Sequence, residues 1–353
     1  MKKIWLFFLI LELNICNNNK HAIKQNIDIQ KNNNTAQTKY FNFNKEKKNL
    51  ILSTIVKYPL DIILPFFKSF IRVNFKNCDI VMFIKDVSQS IIEYLKSIGV
   101  ITYNISKNYK NIEITKLRWK LYIDFLKKKK NEYNLIFIAD VRDTIFQKDI
   151  FQYYRNYKPF IGLAIEDGTL NQGFTKIWLI GYIGIEKHKT IKNQRIICFG
   201  SIWGTPSEIL EFSIILWDNV KMNKNSTDQG IGNYLFYYEK FFNSCFIKSD
   251  NYGPVMTIGR TKRANIKLDT NNNILNFGGE IAAVVHQYDR KPDIVTIIKN
   301  KFLCSNKTKV TNIKISNKKN IRYISVKLDS ISFYLSLQFL VIILLIRIVK
   351  KKN

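Results

Sequence analysis

Apolar strand-like segments alternate with amphipathic helical segments through the first half of this chain, and this alternation constrains the fold more than any other feature. Strands are predicted at residues 50–56, 79–84, 100–105 and 135–139, and helices at 61–71, 88–98 and 116–127. Residues 135–139 read Leu-Ile-Phe-Ile-Ala and are apolar at every position, as in a strand that is buried on both faces. The chain is therefore predicted to be an α/β protein with a central, mostly parallel sheet flanked by helices.

The composition indicates a folded protein and limits the classes of binding partner that are expected. Of the 353 residues, 46% are hydrophobic, so the chain can bury a core and is neither collagen-like nor wholly disordered. It has 56 Lys and Arg residues against 27 Asp and Glu residues, and a net charge of +29 can indicate binding to nucleic acids or anionic membranes. The charge is, however, spread through Asn-rich sequence, without a Gly-aromatic or Cys/His module. Nucleic acid is therefore not an expected partner, and a steep salt dependence of polyanion binding would indicate otherwise.

The N-terminal segment has the pattern of a secretory signal peptide. Lys2 and Lys3 precede an apolar run at residues 4–10, which ends before Glu12 and Asn14 and is too short to span a bilayer. We predict a signal peptide at residues 1–16; the alternative is a buried N-terminal strand. Residues 17–48 are rich in Asn and Lys and are predicted to form a disordered stem.

The C-terminal segment has the pattern of a membrane anchor. Residues 330–349 are predicted to form a transmembrane helix, with Gln338 as the strongly polar interior residue. The tail at residues 350–353 carries lysines that mark the cytosolic side. Together with the signal peptide, this predicts a single-pass type I protein of the endoplasmic reticulum or Golgi membrane. A folded domain at residues 49–301 would lie in the lumen, followed by a juxtamembrane stem at 302–329. Lys350 and Lys351 also resemble a dilysine retrieval signal, or they are only a topological flank.

Cysteines and glycosylation sequons fit a luminal domain without proving it. Four cysteines follow the predicted signal peptide, and their three possible pairings remain open: Cys78, Cys198, Cys245 and Cys304. The acceptor sequons begin at Asn33, Asn104, Asn225 and Asn306.

An acidic motif follows the most apolar predicted strand. Asp140-Val141-Arg142-Asp143 comes directly after residues 135–139. Ligands of parallel α/β sheets bind beyond the carboxyl ends of the strands. Two carboxylates at such a position suit a hard divalent cation, which in turn could bind a diphosphate. Arg142 would be a further phosphate ligand or a partner for one Asp. The alternative is an ordinary turn, where Asp is common.

Three later segments also carry polar or glycine residues at predicted element ends. Residues 198–206 are predicted to end a strand in a Gly-rich turn that contains Gly200, with a helix beginning at Ser207. Residues 226–233 are predicted to open another helix and include Asp228 and Gln229. Residues 281–285 are predicted to form an apolar strand that leads to His286, one of three histidines in the chain. The alternative for His286 is a hydrogen-bonded core residue.

The order of these four segments resembles that of GT-A-fold glycosyltransferases, the nucleotide-sugar-dependent enzymes of the secretory pathway, including the glycogenin-like and galactosyltransferase-like families. The resemblance covers about residues 50 to 295. It implies a GT-A fold, a nucleotide-sugar donor and a glycan or glycoprotein acceptor. The activity implied is hexosyl transfer in the lumen. Asp143 stands one position later than in the family's Asp-x-Asp motif, and Arg142 could replace part of the charge of a metal, so metal dependence stays open.

The resemblance also implies roles for individual residues. Asp140, Asp143 and His286 would bind Mn²⁺ or Mg²⁺. The residues implied in donor binding are Ser53, Thr54, Arg118, Arg142, Gly200 and Lys291. For Arg118, an exposed helix face is the alternative. Asp228 and Gln229 would orient the donor sugar and the acceptor hydroxyl, and Asp228 would serve as general base if the enzyme inverts.

A different class of function remains possible from the sequence. The chain could be a non-catalytic luminal binding protein that keeps the sheet but has lost the metal site. The discriminating observation is whether Asp140, Asp143 and His286 converge. We expect adjacent parallel strands that end on one edge of the sheet to bring them together.

Overall fold

The computed structural model describes residue 44 and residues 46–109, 111–155, 160–223, 225–239 and 246–303. The strands in these ranges are β1 (Lys48–Val56), β2 (Cys78–Lys85), β3 (Ile101–Asn104), β4 (Tyr133–Ala139), β5 (Thr144–Phe146), β6 (Ile161–Thr169), β7 (Arg195–Gly204), β8 (Phe246–Ser249), β9 (Val255–Thr257), β10 (Lys267–Leu268), β11 (Ile274–Leu275) and β12 (Val284–His286). The helices are α1 (Leu60–Val73), α2 (Gln89–Ser97), α3 (Ile114–Lys129), α4 (Gly173–Ile191), α5 (Pro206–Val220), α6 (Asp228–Tyr237) and α7 (Pro292–Leu303).

Seven strands form the central sheet in the order β3-β2-β1-β4-β7-β6-β8. Neighbours β3, β2, β1 and β4 are parallel, and β6 and β8 are parallel to each other. Strand β7 is antiparallel to both of its neighbours, β4 and β6. The prediction of an α/β protein with a mostly parallel central sheet is confirmed.

Both faces of the sheet are covered, because alternate residues of the central strands enter two different cores. On β1, Leu50 and Leu52 belong to the core shared with α3, α5 and α6, while Ile51 and Ile55 belong to the core shared with α1 and α2. Phe137 of β4 joins the second core and stacks on Trp203. This two-sided burial explains why the predicted strands of the first half had few polar residues.

A smaller sheet lies beside the central one. Strand β12 pairs antiparallel with β5 and parallel with β9. Helix α7 follows β12 and contributes Ile294, Ile298 and Phe302 to a third core, which also contains Val285. The antiparallel pairing places the end of β12 next to the residues that directly precede β5.

Two elements of the second half differ from the predictions. The glycines of residues 198–206 do not form a turn, because β7 continues as a strand to Gly204 and α5 begins at Pro206. Strand β12 covers residues 284–286 and includes His286, instead of ending at residue 285. Helix α4 has no counterpart among the predicted elements.

The predicted signal peptide, transmembrane helix and cytosolic tail lie outside the described residues, as do nearly all of the two stems. Among the residues that are described, no helix is both long enough and apolar enough to cross a bilayer. Cys245, Cys304, Asn33 and Asn306 also lie outside the described ranges. Within them, Cys78 and Cys198 are free thiols.

Candidate metal site

The order of the central sheet reverses between β1 and β4. The chain runs outward from β1 through β2 to β3, and β4 then pairs with the opposite side of β1. In open α/β sheets such a switch point, at the carboxyl ends of the strands, is the usual ligand site. A cleft of about 410 Å³ lies there, and all of the predicted site residues except Ser53, His286 and Lys291 line it.

Backbone hydrogen bonds to neighbouring strands fix Asp140 and Asp143. The Asp140 N–H donates to the Gly200 carbonyl at 2.9 Å, which extends the pairing of β4 with β7. The Asp143 carbonyl accepts the Gln287 N–H at 2.8 Å, next to the pairing of β5 with β12. The Asp140 side chain is 42% exposed, whereas the Asp143 side chain is 2% exposed. One carboxylate is therefore open to solvent in the cleft and the other is buried beneath it.

His286 reaches the two aspartates through the smaller sheet. It is the last residue of β12 and pairs with Thr144 of β5, directly after Asp143. The expectation that two parallel strands ending on one edge would make this contact is therefore wrong about the route, because β12 does not belong to the central sheet. The contact arises from antiparallel pairing with the segment that follows the acidic motif.

The ligand atoms of these three residues converge. His286 Nε2 lies 3.3 Å from Asp143 Oδ1 and 3.8 Å from Asp140 Oδ2. Ligand atoms from all three residues lie within 4.8 Å of one another. Asp143 Oδ1 and His286 Nε2 are buried and face each other at 3.3 Å, but this contact lacks hydrogen-bond geometry, and neither atom has a hydrogen-bond partner among the described residues. A divalent cation would satisfy both atoms, and the two carboxylates suit Mn²⁺ or Mg²⁺.

The charges of the cluster determine its protonation. Burial favours the neutral form of Asp143, but His286 and Arg142 outweigh this effect and lower its pKa. Burial also opposes a charge on His286, but Cys198 and Asp143 outweigh it and raise the pKa of the imidazole well above its ordinary value. A cation needs the neutral ring as its ligand, so cation binding at Nε2 would release a proton.

The second ring nitrogen of His286 has a partner in β7. Nδ1 lies 3.3 Å from the Sγ of Cys198, a thiol that is buried and whose pKa burial raises. Histidines that bind metals usually donate their other ring N–H to a neighbouring group, which fixes the orientation of the ring. Cys198 occupies that position here, a role that the sequence did not suggest.

Arg118 connects the metal site with Asp228. Its side chain is 8% exposed, so the alternative of an exposed helix face is wrong. Nη1 donates to Asp140 Oδ1 at 2.6 Å, while Nε and Nη2 donate to Asp228 Oδ2 at 2.9 and 2.5 Å. Nη2 also donates to the carbonyl of Phe199 at 2.9 Å. Burial opposes the guanidinium charge, but the carboxylates of Asp228 and Asp140 outweigh it and raise the pKa of Arg118.

Asp228 and Gln229 lie in the first turn of α6, which Thr227 caps. Asp228 Oδ2 accepts the Trp119 Nε1–H at 3.0 Å, and Oδ1 accepts the Gln229 backbone N–H at 2.8 Å. Burial raises the pKa of Asp228, and Arg118 offsets part of that effect. Gln229 Nε2 donates to Oε1 of the buried Glu166 at 3.4 Å. Both predicted residues thus enter the cleft from a capped helix start.

Neighbouring residues of β1 have different environments. Ser53 is buried, and its Oγ donates to the carbonyl of Ala139, so it joins β1 to the end of β4 and does not line the cleft. Thr54 points to the other face of the strand and lines the cleft. Lys291 immediately precedes α7 and is half-buried, outside the cleft lining. The structure therefore brings Thr54, but neither Ser53 nor Lys291, into the cleft.

Arg142 and Gly200 have roles that follow from their contacts. Arg142 is 44% exposed and pairs with Asp143 at 2.9 Å and with Asp289 at 3.3 Å. A Cβ atom at Gly200 would lie 2.6 Å from Asp140 Oδ2 and closer still to the His286 ring. Gly200 is therefore required by close packing of the metal site on β7 rather than by a turn.

Several cleft residues were not predicted. Tyr58, Glu113 and Thr115 lie just after β1 and around the start of α3, and their position at the carboxyl edge of the sheet was the available signal. Trp178 lies in the unpredicted helix α4. Glu166 is buried near the end of β6 and contacts Gln229, and a single acidic residue in a strand gives no such signal.

Comparison with known proteins gives distant structural matches. No protein-family model and no curated protein sequence matches this chain. The chain is similar to the crystal structure of the glycosyltransferase GlyE of Streptococcus pneumoniae TIGR4, with 15% identity, a TM-score of 0.41 and coverage of 73% of this chain. It spans 64% of that chain. It is also similar to a glycosyltransferase involved in the glycosylation of the major capsid of PBCV-1, with 12% identity and a TM-score of 0.38; 72% of this chain and 98% of that chain are covered. Because these similarities are so distant, the functional proposal rests on the residues of the site.

Proposed function

We propose that this protein is a metal-dependent glycosyltransferase of the GT-A type, which transfers a hexose-type sugar from a nucleotide-sugar donor to a glycan or glycoprotein acceptor. One observation carries the proposal: Asp143 Oδ1 and His286 Nε2 are buried, face each other without a hydrogen bond among the described residues, and converge with Asp140 at a cleft beside the switch point of the sheet. Two atoms left in this state favour a site that is completed by a cation.

Different residues of the site would bind the metal ion and the donor. Asp140, Asp143 and His286 would hold Mn²⁺ or Mg²⁺, and the bound ion would stabilise negative charge on the leaving diphosphate. Arg142 has an exposed guanidinium beside this cluster and is suited to bind a phosphate oxygen. Thr54 lies at the β1 side of the cleft, where the nucleotide would bind. Lys291 and Ser53 would act through the surrounding structure, since neither lines the cleft.

The transfer exchanges one bond for another. The acceptor oxygen bonds to the anomeric carbon of the donor sugar, while the bond from that carbon to the diphosphate oxygen breaks and its electron pair leaves with the diphosphate. The acceptor proton passes to a base or to the departing diphosphate. Asp228 Oδ1, the oxygen that Arg118 does not bind, would accept that proton if the enzyme inverts. Gln229 would orient the hydroxyl, and its amide is held by Glu166.

A non-catalytic binding protein is the less favoured function. That alternative predicted that the metal site had been lost, with Arg142 in the acidic motif as the sign of the loss. The guanidinium pairs with Asp143 Oδ2 and leaves Oδ1 to face His286, so it does not fill the position between the ligands. The convergence of the three ligands therefore favours the enzyme.

The proposed compartment is the lumen of the endoplasmic reticulum or Golgi, with a type I anchor at residues 330–349. Its support is the sequence pattern of the two termini. Protease added to sealed microsomes should remove only a few C-terminal residues. Digestion of the bulk of the chain would contradict this topology.

The catalytic proposal is tested with the full-length protein purified in detergent. Nucleotide sugars are screened for nucleoside diphosphate release and sugar transfer, with and without Mn²⁺, and Mn²⁺ affinity is measured by titration. We expect Asp143→Ala and His286→Ala to lose most turnover and most Mn²⁺ affinity, with a larger effect on the catalytic rate than on donor binding.

The matched control is His188→Ala. His188 is also buried, and its Nε2 contacts the Leu170 carbonyl at 3.2 Å, but it does not belong to the cluster. We expect this variant to keep its Mn²⁺ affinity. A wild-type protein that turns over no donor, or a His286→Ala variant that behaves like His188→Ala, would overturn the proposed function.

A further inference from the structure

Two stacked aromatic rings lie at the rim of the cleft. Trp178 lines the cleft together with Asp228 and Gln229. Phe174, one helical turn earlier on α4, stacks against Trp178 with ring centroids 6.0 Å apart and an angle of 21° between the ring planes. Phe174 is 61% exposed, and the neighbouring Ile177 is 62% exposed. An apolar surface of this kind beside a polar cleft is a recognised sign of a ligand-binding surface.

The position of these rings is set by the packing of α4. Thr175 and Leu179 are buried and face the protein interior, while positions 174, 177 and 178 share another face of the helix. Close contact between α4 and α6 places Trp178 against the first turn of α6. A Cβ atom at Gly230 would lie 2.8 Å from the Cβ of Trp178, so these two helices touch at that glycine. Gly230 directly follows Gln229, and Trp178 and Gln229 both line the cleft.

We propose that Phe174 and Trp178 form the acceptor subsite, on which a hexopyranose residue of the acceptor glycan stacks. The inference rests on the proposed function and names the acceptor class. The C–H bonds on one face of a pyranose are polarised by the ring's oxygens, and they match the negative face of an aromatic ring. The hydroxyls at the edge of the same sugar need polar partners, and Gln229 and Asp228 supply them in the same cleft.

The proposed subsite uses other elements of the cleft than the proposed donor site does. Trp178 and Gln229 come from α4 and α6, whereas Thr54 comes from β1 and Glu113 directly precedes α3. A lipid chain or a protein partner could use the exposed Phe174 and Ile177, but neither needs an aromatic ring that continues into a polar cleft. The continuity of the rings with the cleft therefore favours a sugar.

The test uses the full-length protein and a panel of methyl hexopyranosides as acceptors, whose small aglycone cannot stack in place of the sugar. We expect Phe174→Ala and Trp178→Ala each to raise the acceptor KM roughly two- to tenfold, the range for a single aromatic contact. The ratio of transfer to donor hydrolysis by water should fall as well. Tyr252→Ala is the matched control, because Tyr252 is an exposed aromatic residue that pairs with Phe277 outside the cleft.

A conservative series distinguishes stacking from simple hydrophobicity. Phe174→Tyr keeps the flat ring and should keep the acceptor KM, whereas Phe174→Leu keeps the apolar surface and should lose affinity. If Phe174→Leu behaves as wild type, the surface binds a hydrophobic partner and the subsite is overturned. If the wild type transfers sugar but Phe174→Ala matches Tyr252→Ala, the subsite alone is overturned and the proposed function stands.

A binding measurement keeps the inference independent of turnover. Methyl hexopyranosides should quench the tryptophan fluorescence of the wild type, and Trp178→Phe should reduce this quenching. The absence of any hexopyranoside binding to the wild type would overturn the subsite, whereas binding without donor turnover would overturn only the proposed catalysis.

Discussion

Replacement of Arg118 by Met tests whether the site depends on a buried ion network. The change removes the donors to Asp228 Oδ2 and Asp140 Oδ1 and leaves the buried Asp228 with only the Trp119 and Gln229 N–H groups among the described residues. Breaking a buried ion pair from one side typically costs about 3–5 kcal/mol, because the remaining charge is left uncompensated. We expect a loss of that size in the free energy of unfolding, measured with urea at neutral pH.

A second variant and a control make this prediction specific. Asp228→Asn in the Arg118→Met background removes the unpaired charge, and it should recover most of the lost stability. Lys120→Met removes a partly exposed partner of Asp124 from the same helix, and it should cost less than about 1 kcal/mol. The reasoning is refuted if Arg118→Met costs no more than Lys120→Met, or if the double variant is no more stable than the single one.

The same variant should have a characteristic pH dependence. Burial already raises the pKa of Asp228, and Arg118 is the largest opposing influence, so its loss must raise that pKa further. In the pH range between an ordinary Asp pKa of about 3.9 and the raised value, the folded state holds the proton and the unfolded state releases it. Stability then falls as pH rises. Arg118→Met should therefore be more strongly destabilised at pH 7 than at pH 5 when the two unfolding curves are compared.

Three further predictions concern the close packing and the metal. Gly200→Ala should lower Mn²⁺ affinity roughly 10- to 100-fold, because the added Cβ would displace the metal ligands. Gly278→Ala is the control and should keep its Mn²⁺ affinity, because its Cβ would lie 3.3 Å from its nearest neighbour. Equal affinities of the two variants would contradict this prediction. Asn233→Ala should lower the free energy of unfolding in urea by roughly 2–4 kcal/mol, because the buried Asn233 side chain hydrogen-bonds to both the N–H and the carbonyl of Ile197. A loss below about 1 kcal/mol would contradict this prediction. Mn²⁺ at 100 times its Kd should stabilise the wild type by about 2.7 kcal/mol, and a similar gain in His286→Ala would contradict the ligand assignment.

The first half of the fold could be predicted because its strands and helices are determined by patterns of residues that are close together in sequence. Strands β1 to β4 and the helices between them are read from residues that are adjacent in sequence, and burial on both faces keeps β1 and β4 apolar. The acidic motif was found because its position follows from the end of β4. In the second half, Gly200 and Gly204 suggested a turn, since glycine is the strongest local sign of one. They are strand residues whose missing Cβ atoms make room for His286 and for the Phe160 carbonyl.

Contacts over long sequence separation could not be read in the same way. Arg118 on a Lys-rich helix looks like an exposed residue until Asp228, 110 positions later, is placed against it. Helix α4 was missed because Phe174 and Ile177 are apolar and exposed, so the 3.6-residue periodicity of a core-facing helix is blurred. The residues that sequence patterns miss here are therefore those whose environment is supplied by a distant part of the chain or by a ligand.

A hydrogen-bonded chain of buried groups joins the metal site to the proposed acceptor site. It runs from His286 Nδ1 to Cys198 Sγ, from Cys198 to Gln287 Nε2 at 3.7 Å, and from Gln287 Nε2 to Glu166 Oε1 at 3.1 Å. Gln229 donates to the same Glu166 oxygen. Gln287 adopts a left-handed backbone with φ of 60°, which costs a non-glycine residue roughly 1–2 kcal/mol. This strained residue directly follows His286, and its amide bridges Cys198 and Glu166. In this conformation the Gln287 amide contacts both Cys198 and Glu166, so one network connects the proposed metal ligand His286 with the amide of Gln229.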